Sequence, residues 1–256
     1  MKISVCIDMM YPNVDPVEAM RAVKAQGIDV IEFWGWQNKD LDAVRRACEE
    51  LSMEVAVFCV SGAQLLVDPD RHADYRQDLK ESLAAAKRVG CKTLITGVGN
   101  ARPGVSREVQ HAAIVEGLRS CGPLLEESGV TLAIEPLNIL VEHIGYYLPT
   151  STEALEILEE VNHPRVRMLF DIYHQQISEG HLIANITRMT DFIMHFHCAG
   201  NPGRHELDNG EINYEAVFRA IRKTGYAGFV GLEYVPLEPV EKGIARASAQ
   251  FDRAKE

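Results

Sequence analysis

The 256-residue chain lacks any apolar run near the roughly 20 residues that a membrane span needs. Its start, MKISVCIDMMYP, lacks a signal-peptide core, because Asp8 interrupts a run already too short to be one. None of the six cysteines (Cys6, Cys48, Cys59, Cys91, Cys121, Cys198) forms a CxxC pair, and Cys6, Cys59 and Cys198 lie in apolar runs. Buried reduced thiols in a cytoplasmic protein are therefore expected, rather than a disulfide framework or a structural zinc site. Positive charge is also scarce: 26 Lys+Arg stand against 37 Asp+Glu, a formal net charge of −11. Phosphate affinity comes mostly from Lys and Arg, so this balance argues against a nucleic-acid binder. It leaves room for a small sugar or acid substrate, because a local site can differ in sign from the whole surface. No Gly/Ser linker, low-complexity tract or charge block divides the chain, and one domain over residues 1–256 is expected.

What recurs is a short apolar run followed by a longer amphipathic one. The strand candidates are Ile3–Asp8, Val30–Trp34, Val55–Val60, Thr93–Val98, Thr131–Glu135, Val166–Asp171, Ile193–Cys198 and Phe229–Glu233. Each is nearly continuous in apolar character, as suits strands buried on both faces of a parallel sheet. Between them, Asp15–Gln26 reads as a helix with Asp15 as N-cap, Pro16 at the first helical position and Gly27 as a stop. Ser151 begins another helix, and Asn213–Lys223 repeats the pattern before Gly225. Eight strand–helix units in about 250 residues is the size of an α/β (β/α)8 TIM barrel. The alternative, an open doubly wound sheet, is disfavoured because MMYPNVDP, not GxGxxG, follows the first run.

In such a barrel the site lies at the carboxyl ends of the strands. Four consecutive runs end in ionisable residues: TLAIE at Glu135, VRMLFD at Asp171, IMHFHC with His195 and His197, and FVGLE at Glu233. Asp8 and Glu32 in the first two runs are weaker candidates. Neighbouring parallel strands lie about 4.8 Å apart, so three carboxylates and an imidazole would converge. Clustered carboxylates repel unless some take up protons or a cation joins them. That points to a divalent metal, Mn2+ or Mg2+ first, with Co2+ or Zn2+ as alternatives. Alternate strand residues face one way. His197, nearer its strand exit, is the better ligand, and His195 is expected deeper as a hydrogen-bonded layer residue. His174 and Arg204, in the loops that follow, can reach a substrate hydroxyl or carboxylate, and Trp34 can wall the pocket.

A cation bound there would stabilise an enediolate as a Lewis acid. A flanking Glu would then remove a proton from carbon and a carboxyl group return one, to the neighbouring carbon in aldose–ketose isomerisation or to the opposite face of the same carbon in epimerisation. The constellation alone leaves both open.

The segments EPLN, GYYLPTSTEAL, FDIYHQQISEG, AGNPGRHELDNGEINY and LEY follow in order from Glu135 to Tyr234. In them, and along its whole length, the chain resembles the sugar isomerase/epimerase barrels related to xylose isomerase, most of all the hydroxypyruvate isomerase family. The resemblance implies metal ligands at Glu135, Asp171, His197 and Glu233, with Glu135 and Glu233 doubling as the proton-transfer pair. It also implies that His174 and Arg204 contact substrate. Hydroxypyruvate isomerases carry Gln where His197 stands; ketose 3-epimerases acting on tagatose, psicose or ribulose carry His there. Glu142 falls one position after a substrate-contacting Glu of the 3-epimerases. The expected partner is a small sugar or hydroxy-keto acid, with no nucleic acid and no membrane; a homo-oligomer rests on fold-level analogy alone. A metal-dependent hydrolase related to the apurinic-site endonucleases is opposed by the charge of −11. A non-catalytic sugar-binding barrel is opposed by the two facing glutamates.

Overall fold

A computed structural model describes residues 1–62 and 65–255. Its strands are β1 (Lys2–Cys6), β2 (Val30–Glu32), β3 (Glu54–Val55), β4 (Val57–Cys59), β5 (Thr93–Thr96), β6 (Thr131–Ile134), β7 (Val166–Asp171), β8 (Ile193–Cys198) and β9 (Phe229–Leu232). All pair in parallel, in the order β3-β2-β1-β9-β8-β7-β6-β5-β4. The run expected at Val55–Val60 is broken at Ala56, because its first half pairs with β2 and its second with β5. Counted as one strand, it joins the two ends of that order. Phe33 N–H donates to Val57 O and Cys59 N–H to Trp34 O, which closes the (β/α)8 barrel.

The expected first strand is shorter than Ile3–Asp8: it ends at Cys6, and Asp8 enters a one-turn helix, Ile7–Met10. The helix Pro16–Ala25 starts as expected, with the Asp15 carboxylate accepting from Val17 N and Glu18 N, and Gly27 leaves the helix at φ 78°. Ser151–Val161 is capped by Thr150 and Tyr214–Lys223 by Asn213. All six cysteines are free, and four of them are buried. Burial pushes the Cys91 thiol up to about 12 and the Cys121 thiol to about 11, so these two behave as small apolar residues rather than nucleophiles.

The barrel interior is layered by the two-residue period of its strands. Val30, Val57, Ile95, Ala133 and Leu169 form an apolar plug, with Phe229 packed against it. Two residues further along, the same faces present Glu32 on β2 and Asp171 on β7, with Glu135 just beyond β6. On β8 the inward positions are His195 and then His197; on β9 their register partners are Phe229 and then Gly231, and Glu233 stands just beyond the strand. The apolar layer keeps water out from below, so the polar layers above it sit in a low-dielectric floor.

Candidate metal centre and active site

Asp171 and His197 are register partners on β7 and β8, and Glu233 N–H bonds to Cys198 O at the same level. His197 Nδ1 lies 3.2 Å from Glu233 Oε2 and 3.7 Å from Glu135 Oε1. The four residues singled out for metal binding therefore converge. Asp171 divides its two oxygens: Oδ1 accepts from Tyr173 N (2.8 Å) and His174 N (3.2 Å), capping the helix Ile172–Ser178. Oδ2 is left facing the site, 3.4 Å from Arg204 Nη2 and 3.5 Å from His174 Nε2.

Arg204 reaches the same place from the loop after β8. Its backbone adopts φ 58°, a left-handed conformation uncommon outside glycine, following Gly203 at φ 98°. This double reversal turns the guanidinium inward, where it pairs with Glu233 and lies over the Tyr173 ring at 5.3 Å. Val235 N–H donates to Arg204 O and holds the loop in place. Neighbouring Glu206 is buried and accepts from Leu237 N and Glu238 N, tying this loop to the one after β9.

The electrostatics follow from crowding. Burial pushes the Asp171 carboxyl up. Burial also opposes ionisation of Glu233, but His197 and Arg204 outweigh it and hold Glu233 well below the usual carboxylate range. Adjacent buried carboxylates cannot all ionise on one guanidinium and one imidazole, so further positive charge is favoured here. Two observations fit a divalent cation to these residues. Asp171, His197 and Glu233 each offer a ligand atom within 4.8 Å of one another. His197 Nδ1 is buried and, among the described residues, has no hydrogen-bond partner. Three carboxylates and one imidazole are a donor set of the kind that holds a divalent cation.

The remaining expected residues fall around this centre. Trp34 stands at the rim, 41% exposed, and its Nε1–H donates to Glu233 Oε1 at 2.6 Å. It is held from behind by Asp8, which accepts from Trp34 N and pairs with Lys39 at 2.7 Å. Trp36 packs against the core, where its Nε1–H donates to Ser82 Oγ at 3.2 Å. Glu142 accepts from Tyr173 Oη at 2.6 Å and from Asn138 Nδ2 at 2.5 Å, beside His174. His174 is buried; burial first, and then the Arg204 charge, lower it to about 3, so the ring is neutral. Gln175, beside it, serves the scaffold by bonding to Ser151 N and Pro136 O.

Glu32 is the residue that sequence reasoning undervalues. It is 1% exposed, accepts from Ser4 Oγ at 2.7 Å, and hydrogen-bonds with His195 Nε2 at 2.8 Å. Its other oxygen lies 3.0 Å from His197 Nε2, on the ring edge away from the carboxylate cluster. His195 is thus the deep, hydrogen-bonded layer residue that strand alternation leads one to expect. The available signal for Glu32 was its place two residues beyond Val30, on the inward face. Asn138, three residues after Glu135, carried no such signal.

A family model described as xylose isomerase-like TIM barrel matches residues 20–253. The chain is 30% identical over 239 residues to a putative hydroxypyruvate isomerase of Danio rerio, covering 89% of this chain and 87% of that one. It is 28% identical over 251 residues to the hydroxypyruvate isomerase of Escherichia coli (strain K12), covering 95% and 97%. Among solved structures it is similar to AP endonuclease, family 2, from Brucella melitensis, with a TM-score of 0.90 at 28% identity, covering 97% and 99%.

Proposed function

The chain belongs to the xylose isomerase-like TIM-barrel family, and on that footing we propose that it is a metal-dependent isomerase of a small hydroxy-keto acid or ketose, of the hydroxypyruvate isomerase type. The observation that carries this is the convergence of Glu135, Asp171, His197 and Glu233 on one point at the carboxyl end of the barrel. A divalent cation held by these four residues would supply Lewis-acid stabilisation of an enediolate. Glu135 and Glu233 leave β6 and β9, with β7 and β8 between them, so they approach a small substrate from different sides. One removes a proton from carbon and the other returns it to the neighbouring carbon. Trp34 and Arg204 orient Glu233 by donating to its two oxygens. Arg204 is also placed to bind a substrate carboxylate or hydroxyl, as are His174 and Glu142.

A second reading, epimerisation at C3 of a ketose, is supported by His197, the residue by which the chain departs from hydroxypyruvate isomerases towards the 3-epimerases. An endonuclease reading is disfavoured by the net charge of −11. The test is incubation of the Mn2+- or Mg2+-loaded protein in D2O with hydroxypyruvate and a panel of ketoses, followed by NMR for deuterium on carbon. Exchange at C1 or C2 of a ketose, or at C2 or C3 of hydroxypyruvate, with aldehyde formation supports isomerisation; exchange at C3 of a ketose with a new diastereomer supports epimerisation. No exchange with any member of the panel would remove the proton-transfer reading.

A further inference from the structure

His174 raises a question that convergence alone does not answer. Its Nε2 lies 3.5 Å from Asp171 Oδ2. Glu135, Asp171 and His174 together offer atoms that could hold a cation, and this buried nitrogen has no hydrogen-bond partner among the described residues. An imidazole nitrogen that carries a proton is a donor, and one that does not is a ligand. Which of the two Nε2 is depends on the opposite nitrogen.

Nδ1 faces two donors. The main-chain N–H of Asn138 points to it at 3.3 Å, and Asn138 Nδ2 lies 2.7 Å away. A main-chain N–H can only donate. The orientation of the Asn138 amide is set independently: Oδ1 accepts from Val141 N at 2.9 Å and Glu142 N at 3.4 Å, while Nδ2 also donates to the Glu142 carboxylate. Turning the amide over would set its NH2 against two N–H groups and its oxygen against a carboxylate. A proton on Nδ1 would meet two further donors, so the ring's proton resides on Nε2.

We propose that Asn138 is a positioning residue that locks His174 in its Nε2–H tautomer, excluding it from the metal and aiming a neutral N–H donor at the substrate oxygen on which charge develops. This rests on the enediolate reading above. The donor hydrogen-bonds to the developing oxyanion and keeps its proton, as an oxyanion-hole group does. His174 and His197 are thereby separated by their second partners. His197 has Glu32 near Nε2 and an unpartnered Nδ1 facing the carboxylates, whereas His174 has two donors on Nδ1 and presents N–H. The loop Asn138–Glu142 belongs to the site through this lock as well as through Glu142 itself.

The test is 15N-edited NMR of the histidine side chains in the metal-free and Mg2+-loaded protein, with His174 identified by loss of its signals in His174→Gln. The expected result is an unprotonated Nδ1 and a protonated Nε2 in both forms. A proton on Nδ1 in the wild type, alone or with one on Nε2, overturns the proposal whether or not a substrate has been found. The variant arm compares Glu142→Gln with the pair Asn138→Asp, Glu142→Gln. The carboxylate introduced at position 138 keeps the oxygen that caps Val141 and Glu142. It also places an acceptor against Nδ1, and the carboxamide introduced at position 142 serves as its partner. The single variant should retain the wild-type tautomer. The pair should move the proton to Nδ1 and, relative to Glu142→Gln, lower kcat on the order of 10²-fold with a much smaller change in KM. An unmoved proton in the pair, or a moved proton with unchanged kcat, likewise overturns the assignment.

Discussion

Substituting Gly231 by Ala adds one methyl group to the barrel interior, and its sign can be worked out in advance. Gly231 lies on β9 in extended backbone, and wherever the backbone tolerates Ala such a change stabilises by about 0.4–1 kcal/mol through the unfolded chain. Here a Cβ would stand 2.3 Å from Glu32 Oε1 and 2.7 Å from Oε2. Non-bonded heavy atoms settle near 3.5 Å, so the carboxylate would have to retreat by roughly 1 Å. It cannot do so freely, because Ser4 Oγ and His195 Nε2 grip it at 2.7 and 2.8 Å. Overpacking typically costs about 1–3 kcal/mol. Parting a buried carboxylate from its partner costs about 3–5 kcal/mol. A net loss of about 3 kcal/mol is expected, or a fall in Tm of roughly 6–12 °C for a domain of this size. Because Glu32 lies against His197 Nε2, affinity for Mn2+ should fall as well, about 10–100-fold. Urea unfolding followed by far-UV circular dichroism reads the first effect, and titration calorimetry with Mn2+ the second. A Gly231→Ala protein as stable as the wild type, or more so, would refute the account of the Glu32 layer.

Glu233→Gln should reduce turnover by at least about 10²-fold while leaving circular dichroism unchanged, because a carboxamide keeps the Trp34 contact and cannot exchange protons; near-wild-type exchange in D2O would contradict its role. Trp34→Phe removes one hydrogen bond to a charged group, worth about 1.5–3 kcal/mol when buried and less at this half-exposed rim, so kcat should fall roughly 10-fold. An unchanged kcat would show that the indole only shapes the rim. Chelation followed by dialysis should abolish exchange, and Mn2+ should restore it. At 100 times its dissociation constant, added Mn2+ should also raise the unfolding free energy by about 2.7 kcal/mol; no shift in Tm would count against the cation site.

Much of the site was legible because a TIM barrel makes one end of every strand equivalent. A charged residue closing an apolar run, as in LAIE, MLFD and VGLE, emerges at that end whatever the details of packing, and the structure brings Glu135, Asp171 and Glu233 together beside His197. Strand limits were less legible. At Ala56 one apolar run serves two neighbours, and no local pattern records a change of pairing partner. Glu32 was undervalued for a related reason: a lone acid inside an apolar run gains its meaning from Ser4 and His195, which come from other strands.

The alternation of strand and helix, the caps at Asp15 and Asn213, and the acids at the strand exits could all be read from the chain, because periodicity, capping and strand direction are properties of neighbours along it. Three other features required the folded molecule: which nitrogen of each histidine faces the site, that Gly231 is the space Glu32 needs, and that Arg204 turns back onto Glu233. These depend on barrel closure and on the register between strands distant in sequence. A hydrogen bond or a close approach exists only once both partners have been placed in space.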